Sequence, residues 1–123
     1  MLHPDELIGR VVDARTARYR VEDTMLYALA TGLGTDPLDP AQLRYVYEED
    51  LLALPSLCLV LAHPGFWLRK PEYFVDWTKV LHAEEEFVIH APLPAAGTVT
   101  GRTTVTAIVD RGDVVVAIGT GGA

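Results

Sequence analysis

Two histidines and three consecutive glutamates lie in one otherwise apolar stretch, KVLHAEEEFVIHAPLPAAG, at residues 79–97. Imidazole and carboxylate groups are common zinc ligands and common groups of acid–base catalysis. If the stretch is extended, His82, Glu84, Glu86 and His90 share one face, but side chains two positions apart then stand about 7 Å from each other. Only neighbours could share an ion, so we expect no metal site and interpret this face as solvated or partner-facing.

The backbone of this stretch could be a strand or a helix. Residues 79–91 alternate between a largely apolar and a largely polar face, as a half-buried antiparallel strand requires. Ala-Glu-Glu-Glu is also good helix material, but the alternation favours the strand. The apolar face would carry Leu81, Ala83, Glu85, Phe87, Ile89 and Ala91, and the polar face Val80, His82, Glu84, Glu86, Val88 and His90.

The charge of the chain limits its partners. Ten basic and 17 acidic residues give a net charge of −7 at pH 7, which argues against binding to the phosphate backbone of a nucleic acid. A small anionic ligand could still be held by a few local cations. The candidates are Arg69, Lys70, Arg102 and Arg111.

Length and composition indicate one globular domain over residues 1–123, half of them hydrophobic. The first ten residues lack the apolar core of a signal peptide, and no apolar run reaches the roughly 18 residues of a membrane span. The only cysteine, Cys58, excludes an internal disulfide and suits a reducing compartment. We therefore expect a cytoplasmic protein, with Cys58 as inert packing in an apolar segment.

Three local patterns predict regular elements. Residues 11–21 mix β-branched and polar side chains and predict a strand. Residues 22–34, EDTMLYALATGLG, begin with two acids and end at two glycines, which predicts a short amphipathic helix. Alternating Thr and Val over 98–110, followed by DRGD and VVVAIG, predict a β-hairpin. Leucine and alanine recur at helical spacing in the second segment, at Leu26, Leu29, Ala30 and Leu33.

The segment 51–68, LLALPSLCLVLAHPGFWL, is apolar nearly all round, so periodicity alone cannot separate a buried helix from a pair of buried strands. Pro55 suits the first turn of a helix, which favours a buried central helix from about Ser56 to Ala62. An aromatic loop follows. It could cap an acyl pocket, pack internally or contact another subunit, and it contains Trp67, Tyr73, Phe74 and Trp77.

Five motifs stand in register with those of one family, from about residue 19 to 118. They read EDTMLYALATGLG, LRYVYEED with LLALPSLCLVLA, VLHAE, PLPAAG and DRG. In this order they resemble the N-terminal half of the MaoC-like hydratases, which include the (R)-specific enoyl-CoA hydratase 2 enzymes. The family pattern has glycine where this chain has Ala83, so a methyl group is added where the backbone approaches the ligand.

The resemblance implies an α+β hotdog fold, in which a curved antiparallel β-sheet is wrapped around a central α-helix. It implies that residues 50–62 are this helix and that 79–91 are a strand. It also implies that the chain stops before the last strand of the family and leaves a sheet edge exposed. A partner would cover that edge, or the chain would be a fragment or a diverged remnant.

In relatives with two hotdog units, the resemblance places the acyl-CoA pocket walls in this half and the chemistry in the other. The second half carries an Asp-x-Asn-Pro-x-His motif that activates water, and these 123 residues contain no such motif. We therefore predict no catalytic residue and no cofactor here, with coenzyme A thioester as the substrate of a complex that has enoyl-CoA hydratase (lyase) activity. The acyl-CoA contacts carried over are His82, Ala83 and Arg111.

Two other functions stay open at this point. The chain could be a catalytically silent acyl-CoA-binding or scaffold hotdog that stabilises a homo- or hetero-oligomeric partner. It could also be a hotdog thioesterase that uses Glu84 or Asp110 to activate water. The thioesterase is the weakest reading, because such enzymes place their acid on the central helix and PSLCLVLAH contains none.

Overall fold

The computed structural model describes residues 4–110 and 115–122. Three strands form one sheet in the order β1-β2-β3, with β1 at Val11–Tyr19, β2 at Gly97–Asp110 and β3 at Val115–Gly122. The α-helices are α1 at Pro4–Leu7, α2 at Val21–Ala30 and α3 at Pro40–Leu43. Four short 3-10 helices lie at Pro55–Leu59, Trp67–Arg69, Pro71–Tyr73 and Trp77–Lys79. The predicted α+β class is confirmed.

The predicted hairpin is present as β2 and β3, which pair antiparallel from Arg102 opposite Gly122 to Asp110 opposite Val115. The register shifts between Val105 and Ala107, so β2 carries one extra residue there, as in a β-bulge. The predicted turn at 111–114 lies outside the described residues.

Two compact units divide the chain. The first contains Met1–Thr16, Ala62–Glu85 and Thr100–Ala123. In it, Gly9 N donates to Val105 O at 2.7 Å and Val105 N donates to Arg10 O at 3.2 Å, which ties the start of β1 to β2. Its buried core consists of Leu7, Val12, Tyr73 and Val105, with Trp67, Val75 and Ile108 packed against it.

The second unit contains Ala17–Leu61 and Glu86–Val99. Helix α2 begins after Arg20, whose backbone is extended and whose N–H donates to the Asp23 carboxylate at 2.8 Å. It ends before Gly32, which takes a left-handed φ of 101° as helix-terminating glycines do. The helix predicted over 22–34 is therefore confirmed in position.

The buried face of α2 differs from the expected leucine face. Thr24 and Ala28 are the buried residues, whereas Leu26 and Leu29 are 66% and 53% exposed. Thr24 contacts the backbone of Ala95, to whose oxygen its hydroxyl donates at 2.7 Å. The leucine face is thus outside the packed part of the second unit.

The central α-helix predicted over 50–62 is wrong in type and extent. The structure has only the 3-10 helix Pro55–Leu59. Leu54 is extended, with ψ of 134°, because a residue before proline avoids the helical region. At the other end Ala62 has a left-handed φ of 50°. Fewer than two turns remain between these points, and so short a helix is marginal without extensive packing.

The strand predicted over 79–91 is also wrong. Residues 80–91 have no strand, and those from Leu81 to Ala91 are exposed. The His82 ring lies 3.0 Å from the Glu85 carboxylate, whereas residues three apart on a strand are separated by about 10 Å and point to opposite faces. The segment is therefore irregular and does not form the predicted strand face of alternating histidines and glutamates.

No helix in 4–110 or 115–122 has both the length and the apolar character needed to cross a membrane.

Candidate functional site

Two of the three predicted acyl-CoA contacts lie in the irregular segment after the 3-10 helix Trp77–Lys79. His82 and Ala83 are both exposed. The Nε2 atom of His82 lies 2.9 Å from the backbone oxygen of Glu84 and 3.0 Å from the Glu85 carboxylate. These contacts occupy the Nε2 atom, and a ligand would have to replace them to bind it.

The electrostatic hold on His82 is weak. Its side chain is 68% exposed and that of Glu85 is 51% exposed. Exposed contacts of this kind contribute only about 0–1 kcal/mol to stability, because water competes for both partners. A ligand group can therefore replace the Glu85 carboxylate beside the imidazole at little cost.

The third predicted contact, Arg111, lies outside the described residues. The proposed set of His82, Ala83 and Arg111 therefore stays a prediction. Among the described residues, no group of three or more His, Cys, Asp or Glu side chains could hold a metal ion.

The Pro-x-Pro-x-x-Gly turn is the best-anchored part of the candidate region. The Tyr19 hydroxyl donates to the backbone oxygen of Pro94 at 2.6 Å, and the Thr24 hydroxyl donates to that of Ala95 at 2.7 Å. Tyr19 is 3% exposed and Thr24 only 1%. Burial raises the pKa of the Tyr19 hydroxyl, which keeps it protonated and able to donate.

A cleft of about 440 Å³ lies beside this turn in the second unit. One wall is the end of β1 and the start of α2, and the other is the end of the turn and the start of β2. The lining residues are Arg18, Tyr19, Arg20, Val21, Glu22, Ala96, Gly97 and Thr98. Sequence reasoning did not select Arg18 and Arg20; the alternation in Arg-Tyr-Arg is the signal that could have identified two cations on one face.

The aromatic loop is divided between core and surface. Trp67 and Tyr73 pack edge to face at 5.2 Å between ring centroids and lie in the core of the first unit. Trp77 is 41% exposed, and the Arg69 guanidinium lies over its ring at 4.7 Å from the centroid, in a cation–π contact. Phe74 is 65% exposed. Packing thus accounts for part of this loop, and part stays available for contact.

A bidentate ion pair organises the outer face of β1. Arg15 contacts both carboxylate oxygens of Asp13, at 2.8 and 2.9 Å. The hydrogen bond from Arg15 lowers the pKa of the Asp13 carboxyl. The same guanidinium lies 3.5 Å from the backbone oxygen of Pro64.

Comparison with known families finds one match that covers most of the chain. The family model of the MFE-2 hydratase 2 N-terminal domain matches residues 18–121. Helix α2, the Pro-x-Pro-x-x-Gly turn and strand β2 lie inside the matched range, which ends one residue before the end of β3.

Curated relatives give a consistent result. The enoyl-CoA hydratase ChsH3 of Mycobacterium tuberculosis is 35% identical over 96 residues, which are 73% of this chain and 33% of that protein. The 3-hydroxyacyl-thioester dehydratase Y of the same organism is 30% identical over 110 residues, or 86% of this chain and 36% of that protein. The peroxisomal multifunctional enzyme type 2 of Mus musculus is 26% identical over 117 residues, or 90% and 16%. The chain thus spans about a third or less of each of these relatives.

Proposed function

The chain belongs to the family of MFE-2 hydratase 2 N-terminal domains, the N-terminal halves of MaoC-like hydratases, and from that premise we propose that it is the substrate-shaping half of an (R)-specific 2-enoyl-CoA hydratase. Its α+β architecture with an antiparallel sheet is of the hotdog type found in this family. In this proposal the chain forms part of the acyl-CoA pocket, and a partner hotdog unit supplies the catalytic Asp and His.

One observation carries the proposal. The chain matches an N-terminal domain over residues 18–121, and its sequence contains no Asp-x-Asn-Pro-x-His motif. Its two His-Pro pairs, His3-Pro4 and His63-Pro64, lack the acid and the asparagine at that spacing. Hydration of a 2-enoyl thioester needs a base that activates water and fixed donors that hold the thioester oxygen. This chain is suited to the second task.

The residues proposed to contact the substrate are His82, Ala83 and Arg111. Residues 82 and 83 are exposed, and in this proposal their backbone groups form hydrogen bonds with the thioester or the pantetheine amides. The guanidinium of Arg111 can bind a phosphate of coenzyme A through paired N–H donors. For His82 to contribute, the ligand replaces the weak contact with Glu85.

Exposed apolar side chains support the partner in this proposal. Large hydrophobic residues on α2 and in the irregular segments are more than half exposed: Leu26 66%, Leu29 53%, Val60 51%, Leu81 89% and Val88 68%. Complete burial of one such side chain contributes roughly 1.5–3 kcal/mol to the stability of the folded protein or complex. A partner hotdog that covers them would therefore stabilise this chain as well as complete the pocket.

The test measures hydration of crotonyl-CoA by the loss of its enoyl absorbance. The purified chain alone should show no hydration, and addition of a catalytic hotdog protein that carries Asp-x-Asn-Pro-x-His should restore it. With the partner present, Arg111→Gln should raise KM, while Arg44→Gln, which removes an exposed arginine elsewhere, should leave it unchanged. Hydration by the chain without a partner would contradict the proposal.

A catalytically silent acyl-CoA-binding or scaffold hotdog is the second candidate. In this candidate, His82 keeps its contacts with the Glu84 oxygen and the Glu85 carboxylate when the complex binds substrate. In that case the chain raises the melting temperature of its partner, and Arg111→Gln leaves KM unchanged.

A further inference from the structure

The end of β1 presents two guanidinium groups to the same side. The backbone is extended through Tyr19, the last residue of β1, and at Arg20, where φ is −113° and ψ is 169°. Residues two apart in extended backbone share a face and are about 7 Å apart. Arg18 and Arg20 therefore point to one side, while Tyr19 between them is buried on the other side.

Neither guanidinium is neutralised by an ion pair within the described part of the chain. The Asp23 carboxylate does accept a hydrogen bond from Arg20, but from its backbone N–H at the start of α2 and not from its guanidinium. Glu22 is the one acid among the residues that line the cleft. Two positive charges and one negative charge thus meet at the cleft, in a chain whose net charge is −7.

The opposite wall of the cleft is held in place. Tyr19 and Thr24 anchor the backbone oxygens of Pro94 and Ala95 at 2.6 and 2.7 Å, directly before the lining residues 96–98. A volume of about 440 Å³ lies within the range of about 300–1,000 Å³ typical of small-molecule sites. The cleft is therefore an open groove with two cations along one wall, neither of which forms an ion pair with a described residue.

We propose that this cleft binds a small ligand that carries two phosphate groups, one to each guanidinium of Arg18 and Arg20. Guanidinium groups match phosphate oxygens with paired N–H donors, which suits them to this ligand class better than a single point charge. The N-terminus of α2 contributes little, because the carboxylates of Glu22 and Asp23 oppose an anion there. The inference depends on the proposed function only in the choice of coenzyme A as a probe.

The experiment is isothermal titration of the full chain with coenzyme A, dephospho-coenzyme A and inorganic pyrophosphate. Arg18→Gln and Arg20→Gln should each weaken binding at least about tenfold, because each removes charge-assisted hydrogen bonds to a phosphate. The single variant Arg44→Gln makes the same one-charge change at an exposed position outside the cleft and should leave affinity within about twofold. If dephospho-coenzyme A binds more weakly than coenzyme A, one of the two arginines binds the 3′-phosphate. If pyrophosphate binds as tightly as coenzyme A, both arginines bind a diphosphate.

Two further variants make the inference falsifiable. Glu22→Gln removes the carboxylate in the cleft and should tighten binding severalfold. Raising the ionic strength from about 0.01 to about 0.15 M shortens the Debye length from about 30 to about 8 Å and should weaken ligand binding. Unchanged affinity in Arg18→Gln/Arg20→Gln would overturn the inference, as would no heat from any of the three ligands at millimolar concentration. If Arg111→Gln alone abolishes coenzyme A binding, the proposed substrate contact stands and this cleft site fails.

Discussion

Replacement of Thr24 by valine should loosen the turn that forms one wall of the cleft. The side chain is 1% exposed, and its hydroxyl donates to the backbone oxygen of Ala95 at 2.7 Å. Valine has nearly the same shape, so the main change is the loss of one buried donor. Because the oxygen of half-buried Ala95 then lacks that partner, we expect a loss of about 1–3 kcal/mol in the free energy of unfolding.

Thermal or urea unfolding followed by circular dichroism measures this loss. For a domain of this size, 1 kcal/mol corresponds to a shift of about 4 °C in Tm, so Thr24→Val should melt about 4–12 °C lower. Thr24→Ser keeps the hydroxyl and loses one methyl group, worth about 0.8 kcal/mol. Thr98→Val, at an exposed strand position, should lie within about 0.5 kcal/mol of the wild type.

Amide hydrogen exchange separates local from global loosening. In Thr24→Val, the amides of residues 95–97 should exchange faster than in Thr24→Ser when both are compared with the wild type. The reasoning is refuted if Thr24→Val unfolds with the same free energy as Thr98→Val and exchanges these amides at the wild-type rate. The Thr24–Ala95 bond would then not hold the turn.

Three other predictions follow from single contacts. Burial raises the pKa of the Tyr19 hydroxyl above its ordinary value of 10.0. The stability that this shift contributes is therefore complete below pH 10 and is lost as pH rises through the higher folded pKa. Tyr19→Phe should reduce this alkaline loss of stability when the free energy of unfolding is measured against pH. A Cβ atom at Gly101 would lie 2.7 Å from the Ala62 side chain and 2.9 Å from the Ala62 backbone oxygen. Gly101→Ala should therefore lower the free energy of unfolding in urea by about 1–3 kcal/mol. In the control Gly9→Ala, the added Cβ meets no atom within 4 Å, so this variant measures only the backbone strain of a positive φ. Arg15→Gln should raise the pKa of the Asp13 carboxyl towards 3.8 in an NMR titration, and an unchanged pKa would refute the assigned cause. Because the folded pKa lies below 3.8, the ionised carboxylate stabilises the fold above pH 3.8, and this stabilisation is lost as pH falls through the folded pKa.

Local signals were sufficient for the elements that do not depend on distant packing. Strand β1, helix α2 and the hairpin of β2 with β3 were predicted from β-branched runs, an acidic first turn, helix-ending glycines and strict alternation. Each of these patterns acts within a few residues, because propensity, capping and turn geometry are local. The family resemblance also rested on short motifs in order, and the match over residues 18–121 confirms it.

The candidate site was less accessible to this reasoning. His82 and Ala83 were selected by motif, but the alternation around them predicted a strand, and the structure has an irregular segment in which His82 contacts Glu85. A period of two specifies a strand only when a neighbouring strand pairs with it. The face of α2 was misjudged in the same way, since contact with Ala95 buries Thr24 instead of Leu26.

The amino-acid sequence by itself determined the family, strand β1, helix α2, the β2–β3 hairpin and the spacing that sets Arg18 and Arg20 on one face. Only the tertiary structure decided that these two cations line a cleft. The opposite wall comes from residues more than 70 positions away, held by Tyr19 at a separation of 75 residues and by Thr24 at 71. The physical reason is that hydrogen bonds and burial between distant segments depend on the folded arrangement of the whole chain, which no local pattern encodes.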